Sequence, residues 1–224
     1  MIVHVLCTDP EHPVYSNLAR WVTEHRSSHD VMLTSSVKDL TGGNLLFLVS
    51  AAQIIRRDVR DRYEAVLVLH ASDLPRGRGW SPHIWQVLEG KSAITLSLLA
   101  AEDAVDTGAI WAQRIIELRG DELADEINSL LFAQELALMD FAVDHFGQVT
   151  PKPQPPGEAS YYRKRTLEDS RIDPYLSISE QFNLLRVADP LRYPAFFDLR
   201  GCRYKIVLEK LVTECSESAQ ESKA

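Results

Sequence analysis

Asn44 to Ser50 reads NLLFLVS, and Ala65 to His70 reads AVLVLH. Each is a short, nearly unbroken apolar run of the kind that forms a parallel strand covered on both faces. Gly42 and Gly43 precede the first run and mark its entry. Working outward, Ile2 to Cys7 is a third run, closed by the turn residues Asp9 and Pro10, and Val31 to Thr34 is a fourth. Leu18, Trp21 and Val22 follow helical spacing between the outer two, and Val59 to Tyr63 offers a short helix. Strands alternating with helical segments predict an α/β fold with a mainly parallel sheet built from right-handed βαβ units.

Downstream, HIWQVLEG places Ile84, Val87 and Leu88 at helical spacing and closes at Gly90. Ser92 to Leu99 and Ile110 to Glu117 read as strands around the loop AAEDAVDTG. Asp121 to Phe146 is the clearest helix, with Leu123, Ile127, Leu130, Leu131, Leu138, Phe141 and Ala142 along one face and acids in its first turn. PKPQPPG, Pro151 to Gly157, reads as a semi-rigid linker. This pattern predicts a core over residues 1–150 and a small C-terminal α+β piece over 151–213. That piece contains Ile178, Phe182, Leu185, Phe196, Phe197 and a strand from Tyr204 to Leu208, and a flexible tail follows over 214–224.

Composition narrows the function. The 224 residues are 45% hydrophobic and 25% charged, as in ordinary globular chains. Asp plus Glu number 32 against 24 Lys plus Arg, a net charge of -8 that phosphate backbones repel, so a nucleic-acid partner is not expected. Cys7, Cys202 and Cys215 are an odd number and widely spaced, with no CxxC and no zinc spacing; a reduced, cytoplasmic chain without a metal is expected. The N-terminus carries no basic leader, and no apolar run is long enough to span a bilayer. No GxGxxG follows the first strand and no GxxxxGK[ST] occurs, so dehydrogenase and P-loop chemistry are disfavoured.

Two stretches remain for chemistry. His70 stands at the exit of a buried strand and opens the loop HASDLPRGRGWSP; Val105-Asp106-Thr107-Gly108 lies between two later strands. Open α/β sheets bind ligands at strand carboxyl ends, and an Asp facing a His can orient the imidazole and stabilise its protonated form. Each motif alone reads more often as structure, a satisfied histidine and an Asp-Gly turn, and it is their joint order that lifts them.

In this order and spacing, HASDLPRGRGWSPHIWQVLEGKSAITL followed by AVDTGAI resembles the formyltransferases that use 10-formyltetrahydrofolate, over about residues 44–146. The resemblance implies a Rossmann-like core, with His70 and Asp106 catalytic. It implies 10-formyltetrahydrofolate as co-substrate, its pterin received by Ala51, Gln53, Ile54 and Ile55 with backbone from Glu102 to Val105; Ile54 and Ile55 read equally as core packing. The family places an Asn two residues before the His, where it holds the developing oxyanion; here Val68 stands there, so another donor is expected to replace it.

SYYRKRTLEDSRIDP and QFNLLRVADPLRYPAFF are similar to the C-terminal segment of bacterial enzymes that formylate nucleotide-linked amino sugars, such as a UDP- or dTDP-4-amino-4,6-dideoxy sugar of the pseudaminic-acid type. That resemblance implies an acceptor site drawing on Arg76, Arg78, Trp80, Tyr161, Tyr162, Arg163 and Arg165, and homodimerisation through the C-terminal strand. Arg and Lys suit a diphosphate and Tyr can stack on a base, although a basic run also reads as solvated surface. Formylation of methionyl-tRNA or of a purine precursor is the alternative; the acidic charge and the short segment after Leu211 count against the tRNA form. A folate- or nucleotide-sugar-binding protein without turnover is the alternative of another class, raised by Val68.

Overall fold

The computed structural model describes residues 1–211, so the expected tail over 214–224 and Cys215 lie outside the described residues. The chain runs β1 (Ile2–Leu6), α1 (Tyr15–His25), β2 (Asp30–Thr34), β3 (Gly43–Leu48), α2 (Arg57–Arg60), β4 (Tyr63–His70), β5 (Arg78–Gly79), α3 (Pro82–Leu88), β6 (Ala93–Ala100), β7 (Ile110–Glu117), α4 (Ala124–Asp144), β8 (Tyr161–Tyr162), α5 (Phe182–Arg186), β9 (Ala195–Leu199) and β10 (Cys202–Ile206). Six strands form one sheet in the order β2-β1-β3-β4-β6-β7. The pairings from β2 through β4 are parallel, as the buried runs imply, whereas β4–β6 and β6–β7 are antiparallel.

Alternation along the strands separates two cores. Val3, Val5, Leu45, Phe47, Leu67 and Leu69 pack with α1, α3 and α4 on one face. Leu6, Leu46, Leu48 and Val66 pack with Leu40, Ile55 and Val59 on the other, and Val68 joins this second cluster with Ala51 and Ala101. Helix α1 turns Leu18, Trp21 and Val22 inward, and the Trp21 indole donates to Asp140 of α4 at 2.6 Å. Glu126 starts α4 by accepting the Leu123 N–H at 2.7 Å. The expected inward face of α4 holds for Ile127, Leu131, Leu138 and Ala142, but Leu130 is exposed.

The segment read as a linker is docked onto the sheet. Lys152 exchanges both backbone hydrogen bonds with Ile110, at 2.8 and 2.7 Å. Gln154 donates from its side chain to the carbonyls of Asp106 and Gly108 and accepts from Arg78. Polar side chains with backbone partners override the stiffness the prolines suggest. Beyond it, β9 and β10 form an antiparallel hairpin over Ile172, Leu185 and Ala195, while Ile178 is exposed rather than in that small core.

Candidate functional site

Strand β4 delivers His70 to the carboxyl edge of the sheet, one strand beyond the β1–β3 position where chain order reverses. The imidazole is buried, and both ring nitrogens face polar atoms. Nε2 lies 2.8 Å from the Gly77 carbonyl, which can only accept, so Nε2 carries the proton. Nδ1 is thereby the basic nitrogen of the neutral ring, 3.6 Å from Asp106 Oδ2. That separation is too long for a hydrogen bond and short enough for an ion pair once the ring gains a proton.

Asp106 is set by its backbone. Its φ of +55° is a left-handed conformation that Asp tolerates better than most residues, and its Oδ2 accepts the Gly79 N–H at 2.9 Å. Gly108 explains the DTG turn: a Cβ there would stand 1.8 Å from the Ala100 carbonyl oxygen, so only glycine lets the loop close.

A small ladder knits the glycine loop to the basic run. Strands β5 and β8 pair in parallel, and a Cβ on Gly79 would stand 2.4 Å from the Tyr162 carbonyl oxygen. Gly77 N–H donates to the Ser160 hydroxyl, and Trp80 N–H to the Tyr162 carbonyl. Tyr162 stacks on Trp85 and donates its hydroxyl to Glu89, which with burial raises the phenol above its ordinary pKa. Arg78 donates to Tyr161 and Gln154.

The basic run is therefore largely committed. Arg163 lies over Trp85 and forks onto Asp169, whose carboxyl is held well below the usual range by that guanidinium. Lys164 covers the half-exposed Trp80. Arg165 is buried over Tyr193 rather than displayed. Arg76 is exposed, and its side chain has no ion pair or hydrogen bond among the described residues.

On the other side of His70 the structure divides the pterin residues. Ile54 is 67% exposed and Val105 is 46% exposed, on two loops joined by the Arg60–Asp103 ion pair. Gln53 and Glu102 are exposed beside them and Ala51 is half-buried. Ile55, by contrast, is core: it packs with Leu48 and Val59 and offers nothing to a ligand.

Several groups escaped the sequence reading. His12 and His83 are isolated in sequence, yet His83 feels the charges of His12, Arg165 and His70. Burial, with the Arg165 guanidinium and the other two imidazoles nearby, presses His83 down to about 3, and burial with Arg192 lowers His12 to about 4. Glu135, on the buried face of α4, has an oxygen without any partner, and burial pushes its carboxyl up to about 8. Its signal was present: it sits four residues after Leu131 and three before Leu138, on the apolar stripe.

A doubly covered α/β sheet with a His–Asp pair at its carboxyl edge defines a crevice enzyme-type fold. The sequence matches the formyl transferase family over residues 7–142, and the chain belongs to that family. Among curated relatives, the methionyl-tRNA formyltransferase of Halorhodospira halophila is 33% identical over 135 residues, 58% of this chain and 43% of that protein. The chain spans about half the length of the curated relatives it matches. In fold it is similar to a methionyl-tRNA formyltransferase from Clostridium thermocellum (TM-score 0.77, 19% identity, 94% of both chains). It is also similar to a 4-N formyltransferase from Francisella tularensis (TM-score 0.74, 17% identity, 93% of this chain and 98% of that one). HypX from Aquifex aeolicus, in a complex with tetrahydrofolic acid, shares the fold at TM-score 0.73 and 19% identity, over 93% of this chain and 37% of that one.

Proposed function

We propose that the protein is an N-formyltransferase that moves a formyl group from 10-formyltetrahydrofolate to the primary amine of a nucleotide-linked amino sugar. The observation that carries it is the His70–Asp106 geometry, with Nε2 tied to Gly77 and Nδ1 left basic. The co-substrate supplies an activated formyl carbon. Ile54 and Val105, apolar and exposed on loops that Arg60 joins, suit the face of its pterin, and Gln53 its polar edge.

His70 Nδ1 accepts the proton that the attacking amine sheds, and the resulting imidazolium forms its ion pair with Asp106. The same nitrogen returns the proton to the departing amine, so no covalent enzyme adduct is needed. Gly77 and Gly79 hold the pair rigid, because the carbonyl and the N–H they use are fixed by the β5–β8 ladder.

The acceptor class rests on charge and shape. Net charge is -8, Arg163 is paired with Asp169 and Arg165 is buried, which leaves exposed Trp80 and Tyr161 beside the His70 loop rather than a run of unpaired cations for RNA. Aminoacyl-tRNA is the second reading, favoured by what the curated relatives are named for. Incubation with 10-formyltetrahydrofolate and a panel of UDP- and dTDP-linked 4-amino sugars, beside charged methionyl-tRNA, separates the two. Gain of a formyl mass on a sugar nucleotide is expected; gain on the tRNA alone would replace the acceptor, and no transfer at all would leave a binding protein.

A further inference from the structure

Arg165 is 7% exposed, and the described residues give its guanidinium no carboxylate. One hydrogen bond, from Nη2 to the Ser170 hydroxyl at 3.0 Å, and the face of Tyr193 are its contacts, and Nε has no partner. The acids whose charge reaches it are committed elsewhere. Asp169 is held by Arg163 and by the N–H and hydroxyl of Thr166. Asp189 accepts the N–H groups of Leu191 and Arg192. Asp9, the acid next along this rim, is bound by Arg192 at 2.7 Å. A buried cation without a counter-charge is costly, and the cost is removed when an anion binds.

The surroundings fit that occupant. Trp85 of α3 donates to the Arg163 carbonyl and Gln86 of α3 to the Ala71 carbonyl, so α3 sits between the basic run and the His70 loop. His83 opens α3 half-buried, with Arg165 and the His12 and His70 rings as the titratable groups that reach it. The His12 ring lies against Phe132 of α4, 6.2 Å between centroids, at the exit of β1. Arg165 thus brings an unneutralised guanidinium to this region, with the two imidazoles neutral until an anion arrives; Asp9 and Asp189, whose charges reach His12, are held by Arg192 and by the backbone N–H groups of Leu191 and Arg192.

We propose that Arg165, His83 and His12 form an anion subsite that takes the diphosphate of the acceptor. This rests on the nucleotide-linked acceptor proposed above. Arg165 supplies a fork to a phosphoryl oxygen, and the two imidazoles donate once the bound charge favours their protonated forms. The subsite would anchor the acceptor at a fixed reach from His70, so its loss raises KM more than it lowers kcat.

The test follows histidine ring signals by NMR in the full chain, with pyrophosphate, uridine diphosphate and uridine as probes. Pyrophosphate and uridine diphosphate should lift the His83 midpoint from about 3 by roughly a unit or more, and uridine should leave it in place. Arg165→Met should weaken pyrophosphate binding by about 10- to 100-fold, with Arg165→Lys between it and the natural protein. His83→Asn, with its melting temperature compared with the natural protein's, should weaken it about 10-fold. An unmoved His83 at high pyrophosphate, or natural affinity in His83→Asn and in a folded Arg165→Met, overturns the subsite. Unchanged KM for a formylated nucleotide sugar in Arg165→Met removes the subsite and leaves the acceptor class standing. Pyrophosphate bound through Arg165, with no nucleotide sugar formylated, keeps the anion site and removes the acceptor class.

Discussion

Two acids with buried side chains, Asp106 and Glu135, are built in opposite ways. Asp106 stands on a loop at the strand ends, where a backbone N–H from Gly79 and the His70 ring face its carboxylate. Glu135 stands on the apolar face of α4, where one oxygen has no donor and burial pushes the group up to about 8. Depth is similar in both, so the difference lies in the donors supplied. Loops at strand ends turn backbone N–H groups toward a side chain, whereas a helix spends its own on its ladder. The same fold therefore sets one acid against a histidine and a backbone N–H and leaves one oxygen of the other without a donor.

Breaking the first side of this contrast should have the largest effect. His70→Ala or Asp106→Ala should lower formyl transfer by about 10²- to 10⁴-fold while folate binding, followed by fluorescence titration, stays within a few-fold. Unchanged turnover in both variants would remove the roles assigned to them. Gly108→Ala tests the loop rather than the carboxylate. Its Cβ would meet the Ala100 carbonyl oxygen at 1.8 Å, so residues 101–109 must move and carry Asp106 with them. Thermal melting should show a loss of about 1–3 kcal/mol with a larger fall in kcat than in folate affinity. Natural turnover in Gly108→Ala would mean that the position of Asp106 is not set by this turn.

The acid on the other side should respond to pH. Glu135 binds its proton up to about pH 8 in the folded chain, but only up to its ordinary value near 4.5 when unfolded. Between those limits the native state holds more protons, so stability falls as pH rises, by at most about 1.4 kcal/mol per unit, and levels off above 8. Glu135→Gln should flatten this slope, and Glu135→Leu should raise the melting temperature by a few degrees at pH 8, about 2–4 °C per kcal/mol regained. Parallel melting curves for Glu135→Gln and the natural protein from pH 5 to 8 would show that the carboxyl finds a partner.

The contrast also marks where sequence reading stops. Apolar runs such as NLLFLVS and AVLVLH announce their strands because burial on both faces leaves no other pattern, and His70 and Asp106 stand where those runs end. The β5–β8 ladder was illegible: two residues per strand carry no periodicity, and its partners are some 80 positions apart. Gln154 was hidden in a proline-rich stretch whose composition suggested a spacer. Arg163 and Arg165 looked alike in sequence and differ because Asp169 captures one of them. Glu135 was legible in principle, since a charge on an apolar stripe is a misfit, but only when each position on the stripe is tested.

The smallest effect belongs to Val68, which shares a strand face with His70 and sits where the resemblance calls for an Asn. Its ladder neighbours are Leu48 and Leu99, and it packs beside Ala51 and Ala101, so the wall there is apolar. Two residues beyond His70, the Ser72 hydroxyl is buried without a partner, which leaves a donor in the same loop. Val68→Asn should therefore leave kcat within about threefold and lower stability by about 1–3 kcal/mol, because the new amide enters an apolar cluster with unmet hydrogen bonds. A gain in kcat of about 10²-fold, the size of one oxyanion donor, would show instead that the donor set is incomplete and that the natural chain works below its fold's capacity.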